Sequence, residues 1–75
     1  MIGDRLKYAR IQAGWTQDEV SKETNIQRTT LSKIENNKYD PSTEQLRILI
    51  DLYEVNANWV LNTGMKKKNK EKNTL

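Results

Sequence analysis

Gln27, Arg28, Thr29, Ser32 and Lys33 crowd into one short polar segment, and their side chains offer the chemistry of base-edge recognition rather than of bond breaking. A Gln amide can pair with adenine, while Arg and Lys donate to the acceptor edge of guanine. Ser and Thr serve either base, and a Thr methyl can lie against a thymine methyl. If the segment is helical, Arg28, Thr29, Ser32 and Lys33 point outward, whereas Leu31 and Ile34 turn inward with Ile26 beside them. The competing reading is the solvated polar face of an ordinary small helical domain.

Other chemistries lack their residues. The 75-residue chain has no Cys and no His, so disulfides, thiolate sites and zinc fingers are excluded. Nucleophilic triads and His-based general base catalysis fall with them. Its Asp and Glu residues sit as helix-surface charges, and no Gly-rich phosphate loop is present. The expectation is a chain that is not an enzyme and takes no cofactor or metal.

Five helices are needed to position the reading segment, because the apolar residues recur at helical spacing and strand-like alternation is absent. Ile2, Leu6, Ala9 and Ala13 place a first helix over about 2–13, ended by Gly14. A second spans about 17–24, with Thr16 and Glu19 spaced as a capping box and Trp15 and Val20 as a hydrophobic staple. Asn25 follows where a left-handed residue is wanted. The third spans about 27–36, and its narrow apolar stripe must lean on its neighbours. After a loop through Pro41, Ser42 and Gln45 make a second capping box for a fourth helix lined by Leu46, Leu49, Ile50 and Tyr53. A short fifth helix, about 57–62, is capped by Asn56 and ended by Gly64. Trp59 with Val60 or Leu61 would close the core.

The charge is unevenly distributed. The net +3 arises from residues 65–75, where five lysines face Glu71, whereas residues 1–64 hold eight basic and nine acidic residues. One domain over 1–64 with a disordered lysine-rich tail over 65–75 is expected, the tail being a solvated extension or an arm adding phosphate contacts. No apolar run approaches the roughly 20 residues of a membrane span, and the N-terminus lacks a signal-peptide core, so a cytoplasmic protein without membrane contact is expected.

Two short helices joined by a tight turn, over residues 16–36, form a helix-turn-helix pattern whose second helix would enter a DNA major groove. Here the chain resembles the lambda-repressor and Cro-like helix-turn-helix domains of phage and bacterial regulators. The resemblance spans residues 2–64 and rests on Arg10, Gly14-Trp15-Thr16-Gln17, Glu19-Val20, Leu31-Ser32-Lys33-Ile34-Glu35-Asn36-Asn37-Lys38, Pro41-Ser42 and Trp59-Val60-Leu61-Asn62-Thr63-Gly64. It implies an all-α, compact five-helix fold with the helix-turn-helix in helices 2 and 3. It also implies base reading by Gln27, Arg28, Thr29, Ser32 and Lys33, and phosphate contacts by Thr16, Gln17, Asn36, Lys38 and Tyr39. Arg10 and Glu35 resemble an ion pair tying the first helix to the third; the alternative for Arg10 is an exposed cation.

Departures from the family pattern bear on partners. Asn25 and Asn37 stand where glycine is frequent, and both tolerate the left-handed conformation. Ile50 stands where a small residue is common. Tyr8, Ile11, Ile48 and Leu52 fall where polar residues are common, either as scattered surface apolar groups or as a protein-binding patch. Trp15 and Trp59 read as packing residues rather than DNA-stacking ones. The expectation is a Cro-like phage or prophage switch protein bound to double-stranded operator DNA, as a weak or DNA-dependent homodimer. The alternative is an anti-repressor that keeps the fold but binds a phage repressor protein.

Overall fold

The computed structural model describes residues 1–62 and shows five helices: α1 Ile2–Gln12, α2 Gln17–Thr24, α3 Arg28–Glu35, α4 Thr43–Tyr53 and α5 Ala57–Leu61. No strand occurs among the described residues. This is the all-α, five-helix lambda-repressor-like architecture, with α2 and α3 as the helix-turn-helix. The expectations for Gly64 and for the 65–75 tail lie outside the described residues. No helix among those described is long and apolar enough to cross a membrane.

Each boundary has a local cause. At the end of α1, Gly14 takes φ +84°, and the amides of Gly14 and Trp15 donate to the carbonyls of Ile11 (3.0 Å) and Arg10 (3.1 Å). That left-handed cap satisfies carbonyls that the helix leaves open. Thr16 and Glu19 close a capping box at the start of α2, with Oγ1 of Thr16 accepting from the Glu19 amide at 3.1 Å and Oε1 of Glu19 accepting from the Thr16 amide at 2.9 Å. Asn25 ends α2 at φ 65°, and Asn37 follows α3 at φ 61°. Ser42 and Gln45 repeat the capping box on α4, and the Asn56 side chain accepts from the amides of Asn58 and Trp59 to start α5. The left-handed Glu54 after α4, at φ 55°, has no counterpart in the sequence reading. Neither Gly nor Asn marks that turn, but it makes the same pair of bonds, from Glu54 to Asp51 (3.2 Å) and from Val55 to Ile50 (3.3 Å).

Every helix contributes to a single core: Leu6 and Ala9 from α1, Val20 from α2, Leu31 and Ile34 from α3, Leu49 and Tyr53 from α4 and Val60 from α5, with Ile26 from the turn. Trp15, Leu46 and Ile50 pack partly buried against it. Two core expectations change and one alternative is resolved. Ala13 is an exposed cap, because α1 ends one residue before it. Val60 is buried whereas Leu61 is exposed. Trp59 stays at the surface, where its ring meets the Arg5 guanidinium at 4.9 Å and the Tyr8 ring at 5.9 Å. The third helix also begins one residue late, with Gln27 as a cap lacking a side-chain bond.

The seam between α1 and α3 fixes the third helix. Gly3 is buried there, and a Cβ on it would collide with the Ile34 carbonyl and the Asn37 side chain. Asn37 uses both ends of its amide across this seam: Oδ1 accepts from the Gly3 amide at 3.0 Å, and Nδ2 donates to Asp4 at 3.1 Å. One residue thus turns the chain after α3 and caps the open start of α1. A glycine would make the turn but leave that amide unpaired.

Candidate nucleic-acid interface

The N-terminal ends of α2 and α3 meet at the surface and enclose a shallow concavity of about 300 Å³ lined by Gln17, Arg28, Thr29, Ser32 and Lys33. Arg28, Thr29 and Lys33 are exposed, and Ser32 and Gln17 are half-buried. Arg28 occupies the first position of α3, and in helix-turn-helix proteins it is the N-terminal residues of the second helix that contact base edges. Gln27 is exposed but lies outside the concavity lining. Four of the five expected base readers are therefore gathered on one face, and Gln17 joins them from α2.

Beneath that face lies a buried ionic network. Nε of Arg10 donates to Oε2 of Glu35 at 2.7 Å, and Nη2 donates to Oε1 at 3.2 Å. Nη1 of Arg10 donates to the Trp15 carbonyl at 2.8 Å. The Arg10 and Glu35 side chains retain 11% and 2% of their accessible surface. Nε2 of Gln17 donates to Oε1 of Glu35 at 3.0 Å. One hydrogen of the Gln17 amide is thus committed inward, and the other remains available to a further acceptor. The network ties α1, the loop before α2, the first residue of α2 and the last of α3 into one unit.

The expected phosphate contacts occupy two ends of this unit. Thr16 is exposed; its hydroxyl accepts within the capping box and keeps a proton to donate. Asn36, Lys38 and Tyr39 are exposed in the turn after α3, where Asn36 makes a long 3.5 Å contact with Ser32. The Lys38 amide closes the cap of α3 on the Lys33 carbonyl at 2.8 Å, which sets the path of the chain there.

Asp18, in the first turn of α2, lies beside the face and is absent from the sequence-based site expectations. Its Oδ1 lies 3.0 Å from Nε of Arg28, with 74% and 63% of the two side chains exposed. A ten-residue separation gives no local signal, because the pair exists only once α2 and α3 are set at their angle. The four apolar positions weighed as a protein interface do not behave alike. Tyr8 and Ile11 are exposed, Ile48 is half-buried, and Leu52 packs against the core. Tyr8 lies with Trp59, Ala13 and Val55 around a second concavity of about 340 Å³ between α1 and the α4–α5 turn.

Residues 3–64 match a family described as a helix-turn-helix domain. Over 60 residues the chain is 42% identical to the HTH-type transcriptional regulator ImmR of Bacillus subtilis (strain 168), a match covering 80% of this chain and 47% of the relative. The chain therefore spans about half the length of that relative.

Proposed function

We propose that this chain, which belongs to the helix-turn-helix domain family, is a transcriptional regulator that reads operator DNA through the N-terminal half of α3. The observation that carries the reading is the exposed face of Gln17, Arg28, Thr29, Ser32 and Lys33, whose donors and acceptors match base edges. The name of the Bacillus relative supports regulation as the purpose. Membership of this family agrees with the expectation that the chain is not an enzyme. A Cro-like role in a phage or prophage switch is the finer form of the proposal and rests on the likeness to that family.

In this mechanism α3 lies in the major groove. Arg28 and Lys33 donate to guanine, and Thr29 and Ser32 contact either base. Thr16 and Gln17 hold one phosphate at the start of α2, aided by the open backbone amides there. Asn36, Lys38 and Tyr39 hold another beyond α3, and the two clamps set the register. Glu35 and Arg10 touch no base; they fix the angle of α3 against α1. Two such domains on one duplex would read half-sites about 34 Å apart. The near-neutral composition of residues 1–64 makes the arrangement of contacts, rather than bulk charge, the source of sequence preference.

Selection of duplexes from a random pool by the full chain, followed by titration across a salt series, tests the proposal. The expected result is an enriched sequence, affinity that falls steeply with salt, and Lys33→Ala relaxing the preference at one base pair. Absence of any enriched sequence at low salt overturns it. The exposed Tyr8–Trp59 concavity supports the second reading, binding to a repressor protein. Co-purification with a repressor that Trp59→Ser abolishes would favour it.

A further inference from the structure

We propose that Asp18 is a positioning residue that aims Arg28 at one guanine and makes the contact base-specific, an inference that rests on the DNA-reading role of α3. The ion pair between them joins the second residue of α2 to the first residue of α3, with Nε of Arg28 3.0 Å from Oδ1 of Asp18. Both side chains are mostly exposed, at 63% and 74%. Exposed pairs add little to stability, and the two helices are already joined by Val20, Ile26 and Leu31 in the core. Holding the helices together is therefore not what this pair supplies.

Its geometry supplies direction. An unpaired Arg28 on the first turn of α3 would sample many rotamers and could settle on any nearby phosphate. The Asp18 carboxylate, 3.0 Å from Nε, biases Arg28 toward the rotamers that keep its guanidinium over the reading face. Held there, it can offer the paired donors that match the O6 and N7 acceptors of guanine. The carboxylate has a second effect. Standing at the rim of the reading face, it repels phosphate, so an approach in which Arg28 only grips the backbone is disfavoured. Lys33, on the same face, is in no ion pair among the described residues, so no carboxylate orients its donors. Specificity and non-specific affinity are thus expected to respond to Asp18 in opposite directions.

The test uses the full chain and the duplex selected above, with every base pair of one half-site substituted in turn. Arg28→Ala identifies the guanine it reads by a loss of roughly tenfold or more in preference at that pair. Asp18→Asn, which keeps the shape and removes the charge, is expected to lose roughly fivefold at the same pair and little elsewhere. Its affinity for an unrelated duplex is expected to rise. In the Arg28→Ala background, Asp18→Asn should no longer change base preference. If Asp18→Asn raises affinity for all duplexes alike and leaves the preference at that guanine intact, Asp18 merely repels DNA and the proposal is overturned. A wild-type chain with no base preference overturns the DNA-reading role and this inference together, whereas intact wild-type preference untouched by Asp18→Asn overturns this inference alone. Both substitutions are at exposed positions, and melting curves matching wild type show that any change in preference is not a loss of fold.

Discussion

Two guanidinium–carboxylate pairs anchor the two ends of α3, and their surroundings are opposite. At the C-terminal end, Glu35 meets Arg10 of α1 in a nearly closed space, with the Trp15 carbonyl and the Gln17 amide filling out the polar shell. At the N-terminal end, Arg28 meets Asp18 of α2 in the open. The same two functional groups therefore have different consequences. The buried pair cannot exchange partners without exposing an uncompensated charge to an apolar interior, so it holds α3 at one angle. The exposed pair is screened by water and can let go of its partner or share it, so it can take part in recognition. One end of α3 is clamped and the other is left addressable.

Breaking the clamp is expected to have the largest effect. Glu35→Ala strands the Arg10 guanidinium in the seam and is expected to cost about 3–5 kcal/mol, read by urea denaturation. For so small a domain that approaches the whole stability. Replacing both partners, as Arg10→Met with Glu35→Leu, should recover most of the loss, because two apolar side chains leave no buried charge unpaired. If the single substitution costs no more than an exposed one, the contrast between the two pairs is wrong.

Gly3→Ala probes the same seam without touching charge. The added methyl meets the Ile34 carbonyl and the Asn37 side chain, so α1 and α3 must move apart. A loss of about 1–3 kcal/mol is expected on thermal melting. Base preference should weaken too, because the angle of α3 changes.

Asp18→Asn is expected to change unfolding free energy by less than about 1 kcal/mol, in contrast with Glu35→Ala. A larger loss would mean that the exposed pair also carries structure.

The smallest effect sharpens the comparison from inside the core. Burial pushes the Tyr53 phenol above its ordinary range, the Glu35 charge adds to the rise, and Arg10 opposes it. Its hydroxyl has no hydrogen-bond partner among the described residues. Tyr53→Phe should therefore leave stability at neutral pH unchanged or slightly higher. Because folding favours the neutral phenol, its contribution is complete below the unfolded-state value near 10 and is lost as pH rises beyond it. Wild type should thus lose more melting temperature than Tyr53→Phe between pH 8 and pH 11.

The positions legible in the sequence share one property: their causes are local. Thr16 with Glu19, Ser42 with Gln45, and Asn25 each act within one helix turn, so spacing alone announces them. Helical spacing of Leu31 and Ile34 fixed the outward face of α3, and the resemblance of residues 2–64 to a known family supplied only its expected role. Glu54 shows the limit, since nothing in its residue type signals a left-handed turn; the packing of α5 against α1 sets the direction in which the chain must leave α4. Trp59 shows it again. Its size suggested the core, yet the guanidinium of Arg5 and the ring of Tyr8, both on α1, hold it at the surface.

By itself, the sequence determined that this protein is helical, where most helices start and stop, and which short segment gathers polar side chains suited to base edges. Tertiary structure decided which of those side chains stand free and which are held. Gln17 became half-committed to Glu35, Asn37 became the cap of α1, and Arg28 acquired a partner in Asp18. The physical reason is that caps and periodicity depend on neighbours a few bonds away. Ion pairs and close backbone approaches depend on the angle between helices, which is set only when the whole core closes.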